Sequence, residues 1–489
     1  MPRQTFPVAS ASRRAGVLAA AAAASLALAA CAGLPPKAPL APVGAVDRYA
    51  TQQAFAAPAA QWPAAGWWST YGDAQLDALM DEALAGSPTI ATAQARLARA
   101  QSVVQETHAA ELPQVAADAS ITTQRQSSEY LSPKAVTPQG WHGYGRATID
   151  FAWELDLWGR NRAALAAATS EAEAAQADLA QAQLVLAAAI ASAYAELARE
   201  FAALDTADEA LRVRTDTVRL FRERQANGLE SAGGVRQVEA RRALAEADVL
   251  TAREQIALQR HFIAALAGAG PDRGLALARP AVDLARPFGL PAALPADLLG
   301  RRPDIAAARL RVEASARRID QARAAFYPDV NLLAFIGVQS LGLQHLADSD
   351  AVIGSAGPAI SLPLFDGGRL RGQLHGAEAD YAAAVAGYDA TLQQALREVA
   401  DVAASERALG DELARTTEGV DAARAAWRIQ NDRYEGGLST YLDVLSAEDG
   451  WLQDRRAQTD LQSRAFALDV ALMRALGGGY VVPPAAPRS

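Results

Sequence analysis

The stretch Arg146-Ala147-Thr148-Ile149-Asp150-Phe151-Ala152-Trp153-Glu154-Leu155-Asp156-Leu157 decides the fold. Ala147, Ile149, Phe151, Trp153, Leu155 and Leu157 fall on one face; Arg146, Thr148, Asp150, Glu154 and Asp156 fall on the other, and only Ala152 is out of pattern. Period two over this length predicts a strand with one apolar and one polar face. A second alternation precedes it, with Val115, Ala117, Ala119 and Ile121 against Asp118, Ser120, Thr122 and Gln124. The pair is expected at 114–126 and 144–157, with Trp141, Trp153 and Trp158 as candidate interfacial aromatics.

Outward from this pair the pattern turns helical. Asp73 to about Leu112 reads as helix, broken near Gly86 and Pro88 and ended by Pro113. No proline or glycine interrupts Asn161 to Asn227, so a helix over 160–227 would run roughly 100 Å. Ile190, Leu197, Leu204, Leu211 and Val218 recur every seven residues, a coiled-coil period. Helices this long need neighbours along their length, because propensity alone does not hold them. The chain turns at Asn227-Gly228-Leu229, giving a tip at 228–234 and a shorter helix over 235–267.

The same order then returns. Ser87-Pro88-Thr89-Ile90 reappears as Arg302-Pro303-Asp304-Ile305, and Leu112-Pro113-Gln114-Val115 as Tyr327-Pro328-Asp329-Val330, both 215 positions on (88 to 303, 113 to 328). Gly228-Leu229 reappears as Gly437-Leu438, 209 positions on. At that offset the heptad partners are Val399, Glu406, Leu413, Val420 and Trp427, mostly apolar. A twofold internal repeat follows: 67–270, then a Gly/Pro-rich linker over 271–292, then 293–480 and a tail over 481–489. The second copy predicts strands at 329–341 (Val330, Leu332, Ala334, Ile336, Val338) and 352–364 (Val352, Ile360, Leu362, Leu364), a helix over 369–436, a tip at 437–441 and a helix over 441–476. Pro358 and Pro363 demand an edge, a bend or a strand end. The first pair has the longer connection by six residues (Val115 to Arg160 against Val330 to Arg369), which predicts a longer loop near Ser128–Gly140.

Residues 1–30 read as a signal peptide: Arg3, Arg13 and Arg14 are basic, and Val17 to Ala30 is apolar but short for a membrane span. Arg13-Arg14 also fits a twin-arginine export signal, but the basic segment reads better as a plain Sec n-region. Leu28-Ala29-Ala30-Cys31 matches the lipobox of bacterial lipoproteins, which predicts a lipidated Cys31 at the start of the mature chain. Ala32 rather than aspartate favours the outer membrane, and Cys31 is the only cysteine, so no internal disulfide exists. Residues 31–66, rich in proline and alanine, predict an extended tether. A net charge of −9 gives no reason to expect nucleic acid.

Four strands cannot close a barrel, and an open sheet in a bilayer leaves edge N–H and C=O groups unpaired. Strands from further copies must complete it; two chains give eight and three give twelve, and a lumen favours at least three.

The chain resembles the TolC-like outer membrane efflux proteins, in their OprM- and NodT-like lipoprotein branch. Beyond the repeat and the two Pro junctions, the resemblance rests on three motifs. These are Asp156-Leu157-Trp158-Gly159-Arg160, its partner Leu364-Phe365-Asp366-Gly367-Gly368-Arg369, and Arg433-Tyr434-Glu435-Gly436-Gly437-Leu438-Ser439-Thr440-Tyr441-Leu442-Asp443-Val444-Leu445. The resemblance implies an α+β membrane protein. A homotrimer would form a 12-stranded transmembrane β-barrel continuous with a long periplasmic helical barrel, anchored by its acyl chains in outer membrane lipid. It implies a passive channel, no cofactor and no catalysis, docked to a periplasmic adaptor protein and an inner membrane pump of the resistance-nodulation-division type. Gly228, Leu229, Ser231, Gly437, Leu438, Ser439 and Thr440 match the tips that meet the adaptor; the simpler alternative is that the glycines only cap helices. Tyr434, Asp443 and Ser446 match the periplasmic gate. The family's second tip aspartate falls on Ser446, its first-copy aspartate on Gly234 and its basic gate residue on Ser439, so an ion-pair latch is not expected; Tyr434 is left with hydrogen bonding or apolar contact. Asp443 reads either as an acidic ring, whose mutual repulsion would raise its pKa, or as a helix cap.

Other classes fit less well. The five histidines lack metal spacing, Gly477-Gly478-Gly479 has no following helix, and Gly367-Gly368 lacks the Lys and Ser/Thr of a phosphate loop. A duct for type I protein secretion is the alternative within the same fold. A periplasmic coiled-coil lipoprotein leaves the alternating strands unexplained.

Overall fold

The computed structural model describes residues 36, 39–127, 129, 134–282, 289–291 and 294–482. The signal peptide, Cys31, part of the 128–140 loop and most of the tail lie outside the described residues. Helices α1 (Ala74–Gly86) and α2 (Pro88–Ala109) precede strands β1 (Gln114–Gln124) and β2 (His142–Glu154), then α3 (Arg160–Ala226) and α4 (Ala232–Leu266). After α5 (Pro271–Leu275) the order is α6 (Leu294–Arg301), α7 (Pro303–Ala324), β3 (Asp329–Leu341), β4 (Val352–Ser361), α8 (Arg369–Glu435) and α9 (Tyr441–Ala475). α3 and α8 are each 67 residues long, and α4 and α9 each 35. Pro88 and Pro303 open α2 and α7, where a missing N–H costs nothing.

Two compact units result. The first takes Arg99–Glu173, Leu310–Ala386 and the described residues up to Pro42. Its centre is one antiparallel sheet in the order β1-β2-β3-β4. The register carries one row across all four strands: Ala117 faces Ile149, Ile149 faces Ile336, and Ile336 faces Gly354. The next row is Asp118, Thr148, Gly337 and Ile353. Alternation has thus sorted the sheet into an apolar face, with Val115, Ile121, Ile149, Ile336 and Ile360 exposed, and a more polar one, where Thr148 donates to Asp150 at 2.7 Å. Pro358 stands in β4, an edge strand, as its missing donor requires.

The junction motifs close the strand ends. Arg160 bridges Glu154 and Asp329 at 2.8 and 2.9 Å. Trp158 stacks on Tyr327 at 4.7 Å and donates to the Pro328 carbonyl, while Trp153 donates to Glu111. Asp156 accepts from the Arg162 amide and Asp366 from the Gly368 and Leu370 amides, capping α3 and α8. Because these carboxylates start the helices, Leu155 and Leu157 fall outside β2, and Leu362 and Leu364 outside β4, shorter than the alternation alone implies.

The second unit, Val43–Ala98, Ala174–Arg309 and Gly387 onward, is helical. Trp67, Tyr71, Leu76, Leu79, Tyr194, Leu197, Ile263 and Phe466 are buried in it. Buried Arg302 joins Asp304, Glu398 and the Ala475 carbonyl. Two expectations need correction here. From residue 43 the proline-rich segment is no free tether: Val46 is buried, Arg48 pairs with Asp389 at 2.8 Å, Arg407 donates to the Ala54 carbonyl, and Ala59 forms a β-bridge with Leu290. The linker 271–292 opens as a helix and buries Leu277 and Leu290. Both segments pack because a few anchoring side chains outweigh the small entropy that a proline-rich chain has to lose. The strict heptad also gives way. Leu204 and Leu211 are half-buried while Ala207, Ala210 and Val213 take the interior, the drift that a 3.6-residue turn imposes on a seven-residue repeat.

Candidate functional site

The two helix hairpins of the second unit end in matching turns. At tip one the Gly228 N–H donates to the Gln225 carbonyl and the Leu229 N–H to that of Arg224, both at 2.9 Å; at tip two Gly437 donates to Tyr434 at 3.0 Å and Leu438 to Arg433 at 2.7 Å. Both are Schellman caps, with φ of +74° at Gly228 and +72° at Gly437. Nothing lies within 4 Å of a Cβ built at either glycine, so the left-handed φ, not crowding, selects glycine. The leucines that follow have no core to join: Leu229 is 65% exposed and Leu438 72%.

Beyond the turns the two tips diverge. Thr440 caps α9 in a full capping box, its amide and hydroxyl both donating to Asp443 Oδ2 at 2.9 and 2.7 Å. The Thr440 hydroxyl and amide hold the exposed Asp443 carboxyl below its ordinary value, so within one chain Asp443 behaves as a cap. Ser439 donates to the Gln430 carbonyl, and Ser446 is exposed. In tip one Ser231 caps α4 by accepting from the Gly234 amide at 3.0 Å, but position 234 offers no carboxylate.

Tyr434 is buried, and both kinds of contact expected of it are present. Its ring stacks on Phe221 at 5.6 Å, and its hydroxyl donates to Glu230 Oε2 at 2.8 Å. The Arg224 guanidinium lies 4.5 Å above the same ring and donates to the Tyr434 carbonyl. Tyr441 meets Phe221 edge-on at 4.2 Å, and Val218, Val235, Val238 and Val444 complete an apolar cluster. Burial first, then the Glu230 carboxylate, pushes the Tyr434 hydroxyl up to about 12. Desolvation acts upward on Glu230, yet the Ser231 amide, the Tyr434 hydroxyl and Arg224 outweigh it and hold the carboxyl below its usual value.

Sequence reasoning placed Glu230 in a tip but gave it no role, and it passed over Phe221 and Arg224. The available signal was a charge exchange between the two tips: at the 209-residue offset Glu230 aligns with Ser439, and Gly234 with Asp443. A second group was missed. Glu448 is buried against Arg214 and Thr217, and Asp449 pairs with Arg214 and Arg241. Burial raises the Glu448 carboxyl above its ordinary value despite Arg214. Nothing in these clusters pairs a nucleophile with a base. The first cluster ties the two tips to one another and the second ties α9 to α3 and α4.

A four-stranded sheet with an exposed apolar face, joined in one chain to paired 67-residue helices, defines an outer membrane channel protein. The chain belongs to the outer membrane efflux protein family, whose model matches residues 79–269 and 294–478. It is 34% identical over 430 residues to the multidrug resistance outer membrane protein MdtP of Escherichia coli K12, covering 86% of this chain and 88% of that protein. It is 39% identical over 324 residues to the fusaric acid resistance protein FusA of Burkholderia cepacia, covering 65% of this chain and 61% of that one. Among solved structures it resembles the outer membrane protein VceC of Vibrio cholerae, with a TM-score of 0.81 at 49% identity over 86% of this chain and all of that one. The outer-membrane channel OprN gives a TM-score of 0.79 at 29% identity over 92% and 99%. The protein is thus an outer membrane efflux channel component with a helical part and a β part.

Proposed function

We propose that the chain is one of three identical subunits of an efflux duct, with two hairpins from an internal repeat in each subunit. Three four-stranded sheets join edge to edge into a twelve-stranded barrel, and α3, α4, α8 and α9 of each subunit contribute to a periplasmic tunnel. The observation that carries this reading is the sheet itself: β1 and β4 are both edge strands, and the apolar row through Ile149 and Ile336 is exposed. In a bilayer such edges must be paired by other strands, while the apolar row suits lipid.

Cys31 carries acyl chains that anchor the mature chain in the outer membrane. Gly228, Leu229, Ser231, Gly437, Leu438, Ser439 and Thr440 meet a periplasmic adaptor; the exposed leucines beside unobstructed glycines support this. The adaptor links the duct to an inner membrane pump of the resistance-nodulation-division type. Tyr434 holds the periplasmic end shut, with Asp443 and Ser446 beside it; any rise in the Asp443 pKa from a threefold ring belongs to the assembled trimer. The names of MdtP and FusA favour drugs and small toxic acids as cargo, conducted passively. A strain lacking the protein is expected to become sensitive to a subset of a panel that includes fusaric acid, and the wild-type chain to restore resistance. Gly437→Trp strains the left-handed turn but meets no neighbouring atom, so it should leave oligomers intact and fail to restore it. Unchanged resistance in the deletion strain, combined with loss of a secreted protein, would favour the type I secretion duct instead.

A further inference from the structure

We infer that the β3–β4 loop is a lipid-seated turn: Leu343 and Leu346 pack on the outer face of β2 at its far end and lie in the outer leaflet, and the loop does not hang over the mouth of the duct. The inference rests on the channel reading, in which the apolar face of the sheet meets lipid.

Curvature tells the two faces of the sheet apart. Thr148, Gly337 and Ile353 share a row on the polar face, and Thr148 is buried. A Cβ built at Gly337 would lie 2.8 Å from Thr148 Cγ2, so neighbouring strands close in on that side. On the other face Ile149 and Ile336 stand open. The polar side is therefore concave and turns inward, and the apolar side is convex and turns outward. Gly143, Gly145, Ala147, Ile149, Phe151 and Trp153 alternate onto the convex side of β2. β2 runs from a far end at His142 to the end that joins α3 at Glu154.

At that far end two glycines interrupt the apolar row, and the loop fills the notch they leave. A Cβ at Gly145 would lie 3.0 Å from Leu343 Cδ2 and 3.3 Å from Leu346 Cδ1, and one at Gly143 would lie 3.6 Å from Leu343 Cγ. Gly342 turns the chain back at a φ of +93°, and its N–H donates to the Gly143 carbonyl at 2.6 Å. Ser340 Oγ donates to the Gly342 carbonyl at 3.0 Å, and a short helical turn over Leu343–His345 follows. Gln344, His345, Asp348, Ser349 and Asp350 are exposed, while Gly145 is buried beneath the two leucines. Leu343 itself keeps 44% of its surface exposed, and depth decides what meets it. Trp153 and Gly143 are ten residues apart, about 34 Å along a strand and about 26 Å along the barrel axis at a tilt of about 40°. The apolar band of such barrels is about 25 Å tall. Leu343 therefore lies at the outer edge of the band that begins at Trp153. Trp141, 69% exposed, stands just beyond Gly143, where an interfacial aromatic belongs. Lipid is thus the occupant continuous with the row through Ile149 and Ile336. Seated on the convex side, the loop leaves the mouth of the duct uncovered, and closure falls to the periplasmic end.

Fluorescence quenching on purified oligomers in phospholipid bilayers tests this. Leu343→Cys, Ile336→Cys and Asp350→Cys each add one thiol to a chain whose only cysteine is Cys31, and wild type treated with the same thiol-reactive dye serves as the blank. The dye at position 343 should lose most of its emission to lipids brominated near the headgroup end of their chains and little to iodide in the water. Position 336, in mid-band, should lose its emission to lipids brominated deeper in the chain. Position 350, exposed in the same loop, should respond to iodide alone. Replacing residues 344–350 by two glycines should leave single-channel conductance in planar bilayers unchanged. Iodide quenching at 343 without lipid quenching places the loop in water and overturns the inference. Protection of 343 from both quenchers means that protein covers it, which overturns the inference too. A rise in conductance on shortening the loop makes it a plug, with the same consequence. Iodide quenching at position 336 as well as at 343 rejects the channel reading itself, because the whole apolar face would then stand in water.

Discussion

The sheet and the helical unit handle apolar surface in opposite ways. In the helical unit Leu197 and Phe221 are almost wholly buried by the same chain. In the sheet Ile149, Ile336 and Ile360 stand 55%, 63% and 71% exposed, on strands as regularly patterned as any core strand. A soluble domain would not leave such a row in water, since each buried side chain of this size is worth about 1.5–3 kcal/mol. The difference teaches that the helical unit builds a core from its own chain, whereas the apolar face of the sheet is left to its surroundings.

Substitutions in the two units should therefore respond to different solvents. Leu197→Ala removes packed methyl groups and should cost about 2–5 kcal/mol in detergent and bilayer alike, read as a lower unfolding midpoint. Ile336→Arg, at mid-strand, should cost about 2–4 kcal/mol in a bilayer, read as loss of assembled protein from outer membranes. The isolated helical packing should not register it. If Ile336→Arg assembled normally while Leu197→Ala failed, the exposed row would face water and the contrast between the units would dissolve.

Much of this was legible because physics leaves few choices. Period two in Arg146–Glu154 has one structural meaning, and the observed strand follows it. The turns at Gly228 and Gly437 were readable because long helices have few other ways to stop. The errors came where a local pattern outlived its element. Leu157 and Leu364 continue the alternation beyond the strands because the helix-capping aspartates, Asp156 and Asp366, take over the backbone there. Proline and alanine over 43–66 suggested a free tether, yet Val46 and Arg48 seat it, and no composition rule weighs two side chains so heavily. Glu230 was out of reach for a different reason. Its partner Tyr434 is distant in sequence, and only the exchange of charge between the copies, Glu230 and Gly234 against Ser439 and Asp443, hinted at it.

The central claim is that the sheet is incomplete in one chain and is closed by identical copies. Native mass spectrometry of the protein extracted from outer membranes in mild detergent measures this directly. The account predicts one dominant species containing three chains. A dominant single chain, stable after extraction, would contradict it, because the edges of β1 and β4 would then have no strands to pair with.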